Sequence, residues 1–321
     1  VVEERLDWRT LEDEKCGTII DEIMDQILPE HNHGILLSTN RYQYLSKRLK
    51  RISKRAVWLL ADHMRRSRFE PVGSEISFGL KGTYPPIEIQ LPDGERMFLE
   101  GRIDRADIYE TNEDLYINVI DYKSGAESFD LSDAWFGLKL QLLVYLEALL
   151  ELEQRKTHGK TRPGGIFYFR IDDPLINSED GMVEKIQTEI RKKLKLKGLV
   201  LKDVNLIRAM DDQISGWSDV IPVSVLKDDS IHASSSVLGE EEFLGLLGHI
   251  RKLIGEIGMD MLGGNIRIAP TKKGNDTACK YCPYDGICQF DYQLEDNGYR
   301  LIPKLKTDDV IQRIHQEKGE K

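Results

Sequence analysis

"VIDYKSG" (Val119–Gly125) sets an aspartate and a lysine two positions apart at the end of a run that otherwise reads as a buried strand. Alternate residues of a strand share a face, so Asp121 and Lys123 point the same way as Ile117 and Val119. An apolar face that ends in an acid and a base needs a reason, and the preceding sequence supplies one. "MFLEGRIDRADIYE" (97–110) and "LYINVIDYKSG" (115–125) flank the turn-forming "TNED", the pattern of a β-hairpin. If Glu110 pairs with Leu115, the same antiparallel register sets Asp104 opposite Asp121, with Cβ atoms roughly 4.5–5.5 Å apart. Carboxylates so placed repel unless a cation lies between them. The hairpin therefore reads as a divalent-metal site. Lys123 lies one pleat further on, able to position or deprotonate a water or to stabilise charge developing on a phosphate. Taken alone, Asp-x-Lys also fits a structural ion pair at a strand end; the register is what turns it toward chemistry.

The chain around this hairpin has 321 residues, 40% apolar and 31% charged, the composition of a soluble globular protein with ample core. No apolar run is long enough to span a bilayer, and "VVEERLDWRT" has no signal-peptide character, so a cytoplasmic protein is expected. The chain does not begin with Met and is read as a piece of a longer protein. A net charge of −10 argues against a general polyanion binder, yet the basic residues are clustered. "SKRLKRISKR" (46–55) and "RKKLKLKG" (191–198) are the two basic blocks; such a block is more often a solvated helix face than a nucleic-acid contact.

Helical periodicity covers residues 17–28, with Pro29 as the stop, and a longer helix is expected from about Arg41 to Arg66. Strands are expected at 74–80, 97–110, 115–125 and 164–171. "SDAWFGLKLQLLVYLEALLELE" (132–153) reads as one buried helix with Ser132 as its N-cap. Residues 172–235 mix charge with Gly, Ser and Asp and are expected to form a peripheral insertion on a core of about 14–171. Residues 236–295 hold a late amphipathic helix capped at Gly263–Gly264 and then a cysteine-rich segment; a polar tail follows at 304–321. No internal repeat and no phosphate-binding Gly-rich loop is present, so the piece gives no sign of hydrolysing ATP.

Further polar residues are expected to converge on the hairpin. Gln141 and Tyr145 lie four apart on one face of the buried helix, where a glutamine needs a partner or a task. Glu75 opens the first strand and is a candidate for the same cleft. Four cysteines are few, and three of them, Cys279, Cys282 and Cys288, sit together while Cys16 lies near the start. In a chain without a secretion signal that clustering favours a metal site over disulfides.

"GRIDRAD", "DYKSG", "LQLLVYL" and "PGGIFYFRIDDP", in that order, resemble the motifs of the RecB-type branch of the PD-(D/E)xK nuclease fold. With "CKYCPYDGICQFD" added, the chain from about Arg5 to Asp291 is similar to the iron–sulfur nuclease domains of AddAB-type helicase–nucleases. The resemblance implies an α/β restriction-endonuclease-like core, a mixed central sheet flanked by helices, in a single domain. It further implies a metal-dependent DNA nuclease in which Asp104 and Asp121 bind Mg²⁺ and Lys123 is the catalytic lysine. Gln141 and Tyr145 match an accessory motif, and Glu75 an upstream acid. The implied partners are single-stranded DNA from an unwound duplex, cut on the 5′-terminated strand during double-strand-break repair, and an AddA-type helicase–nuclease subunit. On this reading Lys47, Arg48, Lys50, Arg51, Lys54 and Arg55 line a DNA channel.

The sequence departs from the family pattern at two places. Asp21 stands where relatives commonly carry a metal-binding histidine; it is either a hard oxygen ligand for Mg²⁺ or an ordinary helix acid. Cys279, Cys282 and Cys288 match three ligands of a [4Fe–4S] staple, with the fourth being Cys16 or a cysteine upstream of this piece; zinc is the alternative for the trio. Two other readings of the whole chain stay open: a stand-alone iron–sulfur exonuclease of the CRISPR-associated type, and a catalytically silent DNA-binding or scaffold module.

Overall fold

The computed structural model describes residues 7–157, 159–177, 181–295 and 297–319. The first residues of the family resemblance and the last two of the polar tail lie outside that set. Two long helices come first, α1 (Asp13–Glu30) and α2 (Asn40–Arg66). Pro29 does not stop α1; it is its penultimate residue, where the missing N–H removes a single bond. The chain turns instead at Asn32, His33 and Gly34, all with positive φ. Thr39 caps α2 by accepting from the Tyr42 amide at 3.3 Å.

Strands β1 (Glu70–Phe78), β2 (Ile87–Gln90), β3 (Arg96–Leu99), β4 (Gly101–Glu110) and β5 (Asp114–Lys123) follow. The strand expected over 97–110 is thus two, broken at Glu100, and β2 and β3 form a separate antiparallel hairpin. The expected single helix after β5 is also two, α3 (Leu131–Trp135) and α4 (Gln141–Gln154). Positive φ at Gly137 and Lys139 breaks it, and the N-cap is Asp130, whose carboxylate accepts from the Ser132 amide at 2.9 Å. Next come β6 (Lys160–Arg170), α5 (Val183–Leu194), β7 (Lys197–Leu201), α6 (Val204–Met210), β8 (Gly216–Trp217), β9 (Ser224–Val225) and β10 (Val237–Leu238). The chain closes with α7 (Glu240–Leu262), β11 (Thr271–Lys273), β12 (Asp276–Thr277), α8 (Asp285–Cys288), β13 (Arg300–Leu301) and α9 (Thr307–Gly319). The tail expected to be merely polar is therefore largely helical, with Val310 and Ile314 buried.

The central sheet is mixed, in the order β1-β4-β5-β6-β7-β10. The β4–β5 and β6–β7 pairs are antiparallel; β5–β6 and β7–β10 are parallel. Parallel neighbours need a long crossover, and the chain from β5 to β6 runs through α3 and α4. Residues 172–235 are not simply peripheral, because they supply β7 to this sheet.

The chain divides into two interleaved units. The first comprises residues through Glu75, Ile103–Ser128 and Glu153–Gly239; the second comprises Ile76–Arg102, Phe129–Leu152 and the residues from Glu240 on. In the first unit, Leu59, Phe69, Ile120, Phe167, Phe169, Val200 and Ile207 belong to one core cluster on a single face of the sheet. That face also buries the Arg105–Asp107 ion pair, joined by two bonds of 2.7 and 2.8 Å. In the second unit His249 of α7 stacks on Trp135 at 3.7 Å between ring centroids, and its ring nitrogens meet the Trp135 carbonyl and Glu317 of α9.

Candidate active site

The register read from the sequence is the register of the hairpin. Glu110 pairs with Leu115, and the ladder runs inward to Arg105–Ile120. Asp104 and Asp121 are the next positions out, where the ladder has ended. A side-chain bond takes over there: the Tyr122 amide donates to Asp104 Oδ2 at 2.8 Å. Asp121 is 2% exposed. The Lys123 ammonium lies 2.7 Å from Asp121 Oδ2 and is ion-paired with that buried oxygen. Burial pushes the Asp121 carboxyl up from its ordinary value; Lys123 opposes the rise, and the charges of Asp104 and Glu127 add to it.

These features pass the test for a cation. Two hard oxygen donors share one end of the sheet, and the buried one already draws a cation, the Lys123 ammonium, to 2.7 Å. Burial also disfavours the ionised carboxylate that a cation would neutralise. Asp104 and Asp121 would hold a Mg²⁺ ion in that setting.

Two residues here carried no sequence signal. Tyr168 on β6 pairs in register with Asp121, and its ring lies 5.8 Å from the Lys123 ammonium. Its hydroxyl is pushed up to about 12 by burial and by the charges of Asp121 and Glu127. Glu127 follows the strand in the loop and adds its negative charge to the site. A parallel neighbour's register has no local sequence rule, which is why Tyr168 escapes a reading of the sequence.

Asp21, on α1, is ion-paired with Lys54 at 2.5 Å, and among the described residues no three His, Cys, Asp or Glu side chains form a group able to hold a metal ion. The three-carboxylate set of Asp21, Asp104 and Asp121 is therefore not assembled, nor are the cysteines gathered into such a group. Glu75 lies inside β1 rather than at its start, exposed and with φ of +56°, an unusual conformation for a residue with a side chain. Gln141 and Tyr145 belong to the second unit, where Gln141 Nε2 donates to the Tyr145 hydroxyl at 3.1 Å. The Tyr145 ring packs edge-on against Phe78, and a Cβ at Gly101 would meet both rings at 2.7–3.0 Å, which explains the glycine that opens "GRIDRAD".

Cys16 is buried in α1 beside Leu11 and Ala61, and burial, reinforced by Asp13, pushes its thiol up. Cys279 and Cys282 are half-buried and Cys288 is exposed, all in the second unit. Of the six basic residues of α2 expected to line a DNA channel, Lys50 pairs with Asp25, Lys54 with Asp21, and Arg51 and Arg55 with Asp173. Lys47 and Arg48 are exposed.

The chain belongs to the PD-(D/E)XK nuclease superfamily, whose family model matches residues 1–289. Its mixed α/β fold with a central mixed sheet flanked by helices agrees with that membership. It is 52% identical, over its whole length, to the B subunit of the ATP-dependent helicase/deoxyribonuclease of Alkaliphilus metalliredigens, of which it covers 28%. Proteins of the same name from Thermoanaerobacter sp. and Clostridium acetobutylicum are 43% and 42% identical over 97% and 100% of the chain. The chain thus spans little more than a quarter of the length of these relatives. Among the described residues no helix is long and apolar enough to cross a membrane.

Proposed function

We propose that this chain is the Mg²⁺-dependent nuclease domain of the B subunit of a helicase–nuclease, cutting single-stranded DNA that a partner subunit of the AddA type has helped to unwind. The observation that carries the reading is the Asp104–Asp121 pair at the end of the β4–β5 hairpin, with Lys123 beside Asp121. The family match and the names of the relatives support it. Strand choice, the 5′-terminated strand, and a role in break repair in the cytoplasm follow from the same resemblance.

Bound Mg²⁺ would supply Lewis acidity and a more acidic water. The protein's own part is positional. Asp104 is held by the Tyr122 amide, and Asp121 is fixed by burial, so both oxygen donors are set before substrate arrives. In the hydrolysis a water oxygen bonds to phosphorus, one P–O ester bond breaks, and the departing oxygen takes up a proton. Lys123, a fixed ammonium next to that centre, offsets negative charge growing on the phosphate oxygens. On the family resemblance alone, Cys279, Cys282 and Cys288 are proposed to be ligands of a [4Fe–4S] cluster in a structural role.

The test is cleavage of end-labelled single-stranded DNA with Mg²⁺ by anaerobically purified protein, with Asp121→Ala as control. Cutting that disappears in the variant supports the reading; cutting that persists in it removes the hairpin as the active site. Iron content that falls in Cys282→Ser supports the cluster, and unchanged iron sinks it.

A further inference from the structure

Lys123 has a second cation beside it. In the parallel β5–β6 ladder, Lys123 is the register partner of Arg170, just as Asp121 is the partner of Tyr168. Register partners project from the same face and neighbouring strands lie about 4.8 Å apart, so Arg170 stands next to Lys123 on the face that carries the acids. Like charges side by side weaken a sheet unless an ion of opposite sign joins them. Each of the two cations holds a carboxylate, Lys123 that of Asp121 and Arg170 that of Asp172, and a phosphate could take the place of the outer one, Asp172.

The surroundings of Arg170 fit that anion. Its Nε is buried with no hydrogen-bond partner among the described residues, while an Nη is paired with Asp172 two positions on. The next residue, Asp173, is paired with Arg51 and lies 3.5 Å from Arg55 Nε, which likewise has no hydrogen-bond partner among them. Three guanidinium groups thus meet two aspartates where β6 ends. A phosphodiester presents a pair of charged oxygens much as a carboxylate does, and the guanidinium fork suits both.

Resting on the nuclease reading above, we propose that Arg170 binds a backbone phosphate of the single-stranded DNA that lies across Lys123, exchanging Asp172 for it, and so joins the catalytic hairpin to the basic row of α2. Asp172 acts as a resident stand-in for the phosphate, keeping the fork oriented when no DNA is present.

The experiment is fluorescence anisotropy of a labelled single-stranded oligonucleotide against the 321-residue chain, with Ca²⁺ in place of Mg²⁺ to prevent cutting, over a series of KCl concentrations. Arg170→Met is expected to weaken binding about tenfold and to reduce the slope of log K against log salt by about 0.7, one phosphate contact. Arg170→Lys should keep the slope while losing part of the affinity. Asp172→Asn should tighten binding, and should do so only when Arg170 is present. Mn²⁺ titration followed by electron paramagnetic resonance should give the same stoichiometry in Arg170→Met as in the wild type. An unchanged affinity and slope in Arg170→Met would overturn the proposal. So would a loss of Mn²⁺ binding and melting temperature in step with DNA binding, because that marks a structural role. If the slope moves as expected while wild-type protein with Mg²⁺ does not cut, the phosphate site stands and the nuclease reading falls.

Discussion

The Tyr122 amide donates to Asp104 Oδ2 at 2.8 Å, so one strand of the hairpin holds the carboxylate of the other just beyond the last backbone pair, Arg105–Ile120. The bond ties strand pairing to the site, and it separates charge from position. Asp104→Asn keeps an acceptor for the amide and should melt close to wild type, while Mg²⁺-dependent cutting falls by two or more orders of magnitude. Asp104→Ala strands the amide and should lose about 1–2 kcal/mol in urea denaturation besides the activity. Equal stability of the two variants would show that the bond contributes nothing.

Two buried groups contribute to the pH dependence with opposite signs. The Asp121 carboxyl is raised by burial, with Asp104 and Glu127 adding and Lys123 opposing. Above its ordinary 3.8 the folded state therefore binds more protons than the unfolded one, and stability contributed by this group falls as pH rises through the window. His63 behaves in reverse. Burial, opposed by Asp62 and reinforced by Arg105, Arg66 and Arg191, pushes it down to about 3 from 6.5, so stability is lost as pH falls through that range. Asp121→Asn should stabilise the metal-free protein at pH 7, with the gain vanishing below pH 3.8. His63→Phe should flatten the acid limb by up to about 1.4 kcal/mol per pH unit. Denaturation curves at closely spaced pH values check both, and parallel curves for variant and wild type would refute them.

On the core face of the same strands, Arg105 grips Asp107 with two bonds, at 8% and 4% exposure. Arg105 also donates to the Met64 sulfur at 2.9 Å. Removing one partner of a buried pair leaves an uncompensated charge, and Arg105→Met should cost about 3–5 kcal/mol. Arg105→Met with Asp107→Leu should recover most of that loss, because the pair's desolvation goes with it. A double variant as unstable as the single one would mean that the pair matters for its shape and not its charge.

The hairpin was legible because both of its strands are local: the turn fixes the register, and the register fixes which acids meet. The boundaries of α2 and β5 and the C-terminal glycines of α7 were legible for the same kind of reason. What escaped was non-local or conformational. Nothing in "WFGLKL" announces that Lys139 joins Gly137 at positive φ, so one helix was read where two exist. Residues 87–90 pair with 96–99 across "LPDGE", a hairpin hidden by its shortness. The basic block on α2 was visible, but its counter-charges were not, since Asp173 lies 122 positions from Arg51.

Gly198 tests the far side of the sheet, where residues once expected to be peripheral enter it. It pairs with Phe167 across the antiparallel β6–β7 ladder, and a Cβ built on it would lie 1.8 Å from the Ile166 carbonyl oxygen and 2.8 Å from its carbon. Both obstacles are backbone in the middle of β6, where Ile166 pairs on its other side with Val119 of the strand that carries Asp121 and Lys123, so neither can turn aside as a side chain would. Gly198→Ala must therefore either push β7 away from β6 or unseat β6 itself, and a loss of about 3 kcal/mol or more is expected. If β7 alone yields, hydrogen exchange should quicken in residues 197–201 while the Mg²⁺ requirement for cutting is unchanged. If β6 moves, the register that sets Tyr168 beside Asp121 and Arg170 beside Lys123 shifts with it, and both DNA affinity and Mg²⁺ requirement should worsen together. A Gly198→Ala protein with wild-type stability would show that the strands of this sheet are not held as closely as the Ile166 carbonyl requires.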